Sequence, residues 1–222
     1  MNKTFKQAFI DTLPVMAGYL VLGIGFGVLM NNNGFSLIHS LLMSVFVYAG
    51  SLQYLGISLL INGTNILSIA LGSFLVNARH LLYGISMFSK YKNTGKRKPY
   101  LIFSLTDETY SLVSNKDNKD YFWYVSLLDH FYWISGTVLG SLIGKLITFN
   151  TEGLDFALTA LFIVIFIEQW LTSKDNYSAL SGLLFTSLCL LLFGKDNFLI
   201  PSMLAIVISL LLRKKVQEKQ HE

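Results

Sequence analysis

From Leu13 to Met30 the chain passes through an apolar run that contains no charged residue. A helix needs roughly 20 such residues to span a bilayer, and the run continues through Gly23, Gly25 and Gly27 without a small-x-small cleavage site. It therefore reads as a first span rather than a signal peptide. Further apolar blocks follow at about 36–61, 65–88, 121–148, 156–171, 177–193 and 198–212, with a short one at 100–113. A soluble domain carries about 25% charged residues; this chain carries 14%, with 53% hydrophobic residues. The expected fold is all-α: a polytopic helical membrane protein with about seven apolar segments, at least one of them broken or re-entrant. Residues 1–222 are expected to form a single integral membrane domain.

The net charge of +4 lies mainly in loops and tails, and it is no signal for nucleic acid. Lys90 to Lys98 is the strongest cytoplasmic-loop signal, and the tail 213–222, opening Arg213-Lys214-Lys215, reads the same way. One cysteine, Cys189, excludes an internal disulfide framework.

Asp11-Thr12-Leu13-Pro14 is a helix-start signal, with Asp or Thr as cap and Pro in the first turn. Gly23 and Gly27 would let another helix approach closely. Tyr48-Ala49-Gly50-Ser51-Leu52-Gln53 interrupts the second block with small and polar residues, as at a helix break. If 100–113 enters and returns without crossing, the C-terminal half has a consistent topology. The N-terminal half then conflicts with an internal N-terminus, unless 36–61 is a re-entrant hairpin broken near Gly50. An external N-terminus is the other solution. The hairpin is preferred, because irregular backbone at membrane depth is tolerated where it lines a cavity. No internal repeat is evident: Gly23/Gly27 and Gly136/Gly140 share a spacing without establishing two halves.

Intramembrane charges are expensive and usually face a partner or a water-filled path. Asn77, Arg79 and His80 lie inside one apolar block, and Asp107 and Glu108 just beyond the next stretch. Arg79 either holds a carboxylate in a bidentate fork or snorkels toward the headgroups. Asp107 and Glu108 point about 100° apart on a helix, so they form no dyad by themselves. One could pair with Arg79 while the other faces a cavity and carries a proton. Alternatively, Thr106 to Glu108 simply cap a helix start. Asp129, Trp133, Gly136, Gly140 and Gly144 share a helical stripe, which suggests tight packing with a polar anchor. His130 titrates or sits at the interface, Lys145 snorkels outward, and His39 and Glu168-Gln169-Trp170 read as interfacial. No HExxH, CxxC or comparable ligand spacing supports a metal, a cofactor or a membrane-embedded enzyme.

Leu13-Pro14, Gly18-Tyr19, Gly23, Phe26-Gly27, Tyr48 to Gln53, Asn77 to Tyr83, Leu105 to Tyr110 and Trp133 to Thr137 occur in an order and spacing that resembles the AzlC family. These are large subunits of bacterial branched-chain amino-acid exporters. The resemblance implies export of leucine, isoleucine, valine and analogues across the inner membrane. It also implies a small AzlD-type membrane subunit as partner and energisation by the proton gradient. A zwitterionic substrate needs a cation or helix N-terminus for its carboxylate and acceptors for its ammonium. Tyr48, Gly50, Ser51, Gln53, Asn77 and Arg79 are the expected substrate-binding residues. His80, Asp107, Glu108 and Asp129 are expected to couple protons or gate. A non-transporting scaffold or sensor, or an exporter of a different small amino acid, are the alternatives.

Overall fold

The computed structural model describes residues 3–146, 163, 166–167, 170–171 and 176–220. It divides into two compact units, Met1–Leu158 and Thr159–Glu222. Regular structure among the described residues is helical. Among the described residues two helices are both long and apolar enough to cross a membrane, Leu13–Asn32 and Tyr177–Gly194. The expected count of about seven segments is not established by that measure. Some segments are long but interrupted by charges, others are half-length, and 156–171 lies largely outside the described residues, as do the 152–155 turn, Glu168 and Gln169.

In the first unit, α1 (Lys3–Asp11) runs almost directly into α2 (Leu13–Asn32). Pro14 stands in the first turn of α2, where its missing N–H costs nothing. Thr12 occupies the cap position but makes no capping bond. Its backbone is helical, so its hydroxyl instead reaches back to the Phe9 carbonyl at 3.1 Å. α3 (Leu37–Leu42) opens with Ser36 and His39 bonded reciprocally as a capping box. It passes into a π-helical turn, Met43–Val47, which ends at Tyr48. Tyr48 has φ 41° and ψ 49°, and Ala49 is extended. A bulky residue in the left-handed region stops the helix outright. α4 (Gly50–Ile61) and α5 (Ile66–Tyr91) follow. After a 3-10 turn come α6 (Lys98–Phe103), α7 (Asp107–Val113) and α8 (Lys119–Leu146).

α2 and α8 run side by side in the same direction. Tyr121 donates to Asp11 at 2.7 Å at one end, and Asn31 approaches Ser141 and Gly144 at the other. Between these ends the glycines Gly23 and Gly27 lie against Gly136, Thr137, Gly140 and Ser141. A Cβ on Gly23 would stand 3.0 Å from the Thr137 nitrogen, and one on Gly27 or Gly140 would enter the opposite backbone. The two glycine pairs therefore belong to one interface between two helices.

The second block folds back on itself. Ser44 contacts Thr137 and Tyr48 contacts His130, so α3 descends along α8. Gln53 then bonds Ser44, and Gly56 lies against Met43, so α4 returns beside α3. The third polar stretch does the same from the other end. Arg97 pairs with Asp120, and Tyr100 reaches His130, so α6 climbs α8. Tyr110 meets Ser86, and Lys90 Nζ bonds the carbonyls of Ser114 and Lys116, so α7 returns along α5. With 6 and 7 residues, α6 and α7 are only about 9–10 Å long at 1.5 Å per residue, against a core of about 30 Å. Neither crosses. The two hairpins enter from opposite ends of the α2–α8 pair and meet at the Tyr48 and Phe103 rings, 6.1 Å apart. The second block, expected to break near Gly50, is thus a hairpin whose two ends lie at the same end of the α2–α8 pair.

In the second unit, α9 (Tyr177–Asn197) is interrupted at Gly194, where φ is 70°. α10 (Leu199–Gln220) continues well past residue 212, so the expected tail is helical as far as Gln220. Tyr177 and Ser209 bond between these two helices at 2.8 Å.

Candidate functional site

The hairpin tips place the first turns of α4 and α7 on either side of Arg79, near the middle of α5. Arg79 Nη1 stands 2.6 Å from Asp107 Oδ2, and Nη2 donates to Ser51 Oγ at 2.9 Å. A guanidinium suits this because its donors diverge in a fixed plane. Asp107 and Ser51 lie in the first turns of α7 and α4, so one side chain joins the two hairpins. The Asp107 side chain keeps 19% of its exposure and that of Arg79 31%, so the pair is not fully enclosed.

His130 joins the hairpins a second time. Its Nε2 lies 3.2 Å from the Ser44 carbonyl and its Nδ1 2.9 Å from the Tyr100 hydroxyl. A carbonyl only accepts, so Nε2 carries a hydrogen. Neutral His130 then accepts from Tyr100 at Nδ1. The Tyr48 ring lies on the imidazole at 4.2 Å between centroids. Beside it, Gln53 is fully buried and accepts from Trp133 Nε1 at 2.8 Å. Its amide donates to Ser44 Oγ at 3.1 Å, and Ser44 also bonds Thr137 at 2.8 Å. Gly50 leaves room for the Trp133 indole, since a Cβ there would stand 3.0 Å from the ring.

The carboxyls occupy the other flank. Thr106 caps α7, its hydroxyl accepting from the Thr109 N–H at 3.3 Å. That same hydroxyl lies 2.7 Å from the Tyr19 hydroxyl and 3.2 Å from Thr109 Oγ1. Tyr19 donates to Glu108 Oε2 at 2.7 Å, and Thr109 donates to Asp129 Oδ2 at 2.8 Å. Asp129 is completely buried, whereas Glu108 retains partial exposure. The cap and the polar site expected as alternatives at 106–108 thus coexist in one arrangement.

Ser51, Arg79 and Asp107 are in direct contact, with Glu108 next to Asp107 on the same short helix. Tyr48, Gly50 and Gln53 gather around His130 and Trp133. Gln53 has its oxygen and one amide hydrogen engaged internally, which is the pattern of a latch. Asn77 lies half-buried on α5, and His80 packs edge-on against Tyr83. Sequence reasoning passed over Tyr19, Ser44, Tyr100 and Thr109. Each carries an ordinary polar group with at least one partner 20 or more positions away, which only the folded hairpins bring to it. A cation, carboxyls and hydroxyls with restricted access suit the binding of a zwitterion and the movement of protons.

The family model described as "AzlC protein" matches residues 14–147. A Bacillus subtilis (strain 168) relative, "Branched-chain amino acid transport protein AzlC", is 46% identical over 97% of this chain and 87% of its own length. An "Uncharacterized membrane protein" of Helicobacter pylori (strain ATCC 700392 / 26695) is 39% identical over 97% of both chains. "Inner membrane protein YgaZ" of Escherichia coli (strain K12) is 28% identical over 81% of this chain and 77% of its own length. No solved structure matches.

Proposed function

The chain belongs to the AzlC family, and from that membership we propose that it is a multi-pass transporter, not an enzyme, that exports branched-chain amino acids across the bacterial inner membrane. Export is coupled to proton entry and requires a small AzlD-type subunit. The name of the Bacillus subtilis relative supports the transport role, and the membrane names of the others support the location. The observation that carries the mechanism is the Arg79 bridge between the two helix starts, with Glu108 and Asp129 beside it.

In this reading Arg79, Ser51 and the free backbone N–H groups at the start of α4 receive the substrate carboxylate. Asp107 releases Arg79 when the substrate arrives and takes up the ammonium. Tyr48, Gly50 and Asn77 line the path, and Gln53 fixes its wall. Glu108 and Asp129 carry the coupling proton, and His80 stands at the inner end as part of the gate. Aliphatic selectivity arises from pocket size, worth about 1–3 kcal/mol per methylene.

Proteoliposomes containing both subunits, loaded with labelled leucine and acidified outside, test the proposal. Efflux should rise with the pH gradient and collapse with a protonophore. Gradient-independent leakage from correctly folded protein would overturn it. A scaffold or sensor role would instead give amino-acid-independent binding to the small subunit and no flux. Flux of another small amino acid in preference to leucine would keep the transporter and change its substrate.

A further inference from the structure

Glu108, Tyr19, Thr106, Thr109 and Asp129 form an unbroken line of oxygens. The successive separations are 2.7, 2.7, 3.2 and 2.8 Å. Everything between the two carboxyls is a hydroxyl, and each hydroxyl can donate one hydrogen while accepting others. Tyr19, Thr106 and Thr109 are buried, so water does not compete for their bonds.

Counting hydrogens constrains the charge state. The line has four oxygen–oxygen links, and its hydroxyls supply three hydrogens. With both carboxyls ionised, one link lacks a hydrogen and two negative charges stand at the ends of one buried hydroxyl line. With one added proton, every link is filled. Thr106 then uses its full capacity in either polarity, because it also accepts the Thr109 N–H.

We propose that Glu108 and Asp129 share a single proton and pass it between them through the hydroxyls of Tyr19, Thr106 and Thr109. When Glu108 holds the proton, it donates to Tyr19, Tyr19 to Thr106, Thr106 to Thr109, and Thr109 to the Asp129 carboxylate. Each oxygen then hands its hydrogen to the next: the Glu108 O–H bond breaks, and an O–H bond forms on Asp129. The three hydroxyls are restored with reversed polarity, and the negative charge moves to Glu108. No other reactant is needed. Glu108 keeps some exposure and Asp129 keeps none, so the line links a partly exposed carboxyl to an enclosed one. The surrounding titratable groups are Asp107 on α7, Arg79 and Tyr83 on α5, Tyr48 at the first hairpin tip, Tyr100 on α6 and His130 on α8.

The use of this line in coupling rests on the transport reading, while the shared proton itself does not. Infrared spectra of the full-length protein at neutral pH should contain a protonated-carboxyl band that disappears in the double variant Glu108→Gln, Asp129→Asn. A spectrum without that band, or a band unchanged in the double variant, overturns the shared proton. In proteoliposomes with the small subunit, Thr109→Val should lower gradient-driven leucine efflux at least tenfold while leucine counterflow continues. Thr109→Ser, which restores the hydroxyl, should recover driven efflux. Driven efflux in Thr109→Val equal to that of the unaltered chain, or equal loss of counterflow, overturns the relay. If the unaltered chain shows no driven efflux, the transport reading fails, and the infrared result alone decides the shared proton.

Discussion

Arg79 reaches Asp107 at 2.6 Å from the centre of a 26-residue helix, and its second terminal nitrogen holds Ser51. One guanidinium thus joins two helix starts that lie 56 positions apart in sequence. Arg79→Gln removes the cation and leaves Asp107 half-buried beside a neutral amide. Because both groups retain exposure, we expect a loss of about 1–3 kcal/mol rather than the larger cost of a fully enclosed pair. The exchange Arg79→Asp with Asp107→Arg should recover part of it. Thermal unfolding in detergent measures both effects, and no difference between the single variants and the exchange would contradict the pairing.

The α2–α8 contact is set by backbone approach. Gly27→Val and Gly140→Val each drive a side chain into the opposite main chain, so folded yield and melting temperature should fall sharply, by more than the about 1–3 kcal/mol typical of overpacking. Gly18→Ala has open space around it and should melt as the unaltered chain does. Size-exclusion recovery and thermal melts of the three variants check this ordering.

Gln53 separates a binding role from a structural one. Gln53→Leu leaves the Trp133 N–H unpaired in a buried site, at about 1–3 kcal/mol. The expected signature is a lower melting temperature with leucine KM nearly unchanged. A raised KM at unchanged stability would return Gln53 to the substrate.

Opposed hairpins fix which loops share a side. In a Cys189→Ser background, Asn33→Cys and Asn62→Cys should both react with an impermeant maleimide in intact cells. Asn93→Cys and Lys116→Cys should react only after permeabilisation. Labelling of Asn33→Cys and Asn62→Cys from opposite sides would mean that the second block crosses instead of returning.

Much of this plan is legible locally. The break near Gly50 shows in the run of small and polar residues from Tyr48 to Gln53, and Pro14 marks the start of α2. The helix cap at Thr106 is also a local signal. The lateral arrangement is not legible, because identical small-xxx-small spacings at Gly23/Gly27 and Gly136/Gly140 say that something approaches closely without saying what. Asp129 was visible as a buried anchor, yet its partner Thr109 was not, since a threonine in a short helix fits many surroundings. Tyr19 reads as an ordinary aromatic until the second hairpin brings Glu108 to it. Gln53 shows another limit of local reading: a polar residue at a helix break suggests a ligand contact, and its partners Ser44 and Trp133 become visible only in the fold.

The coupling role of Glu108 can be isolated with one substitution. Reconstitute Glu108→Gln with the small subunit, and record leucine efflux and interior pH together under an inward proton gradient. Leucine counterflow should persist while gradient-driven efflux and leucine-dependent proton entry both disappear. Driven efflux and proton entry at the level of the unaltered chain would contradict the assignment of the proton to this site.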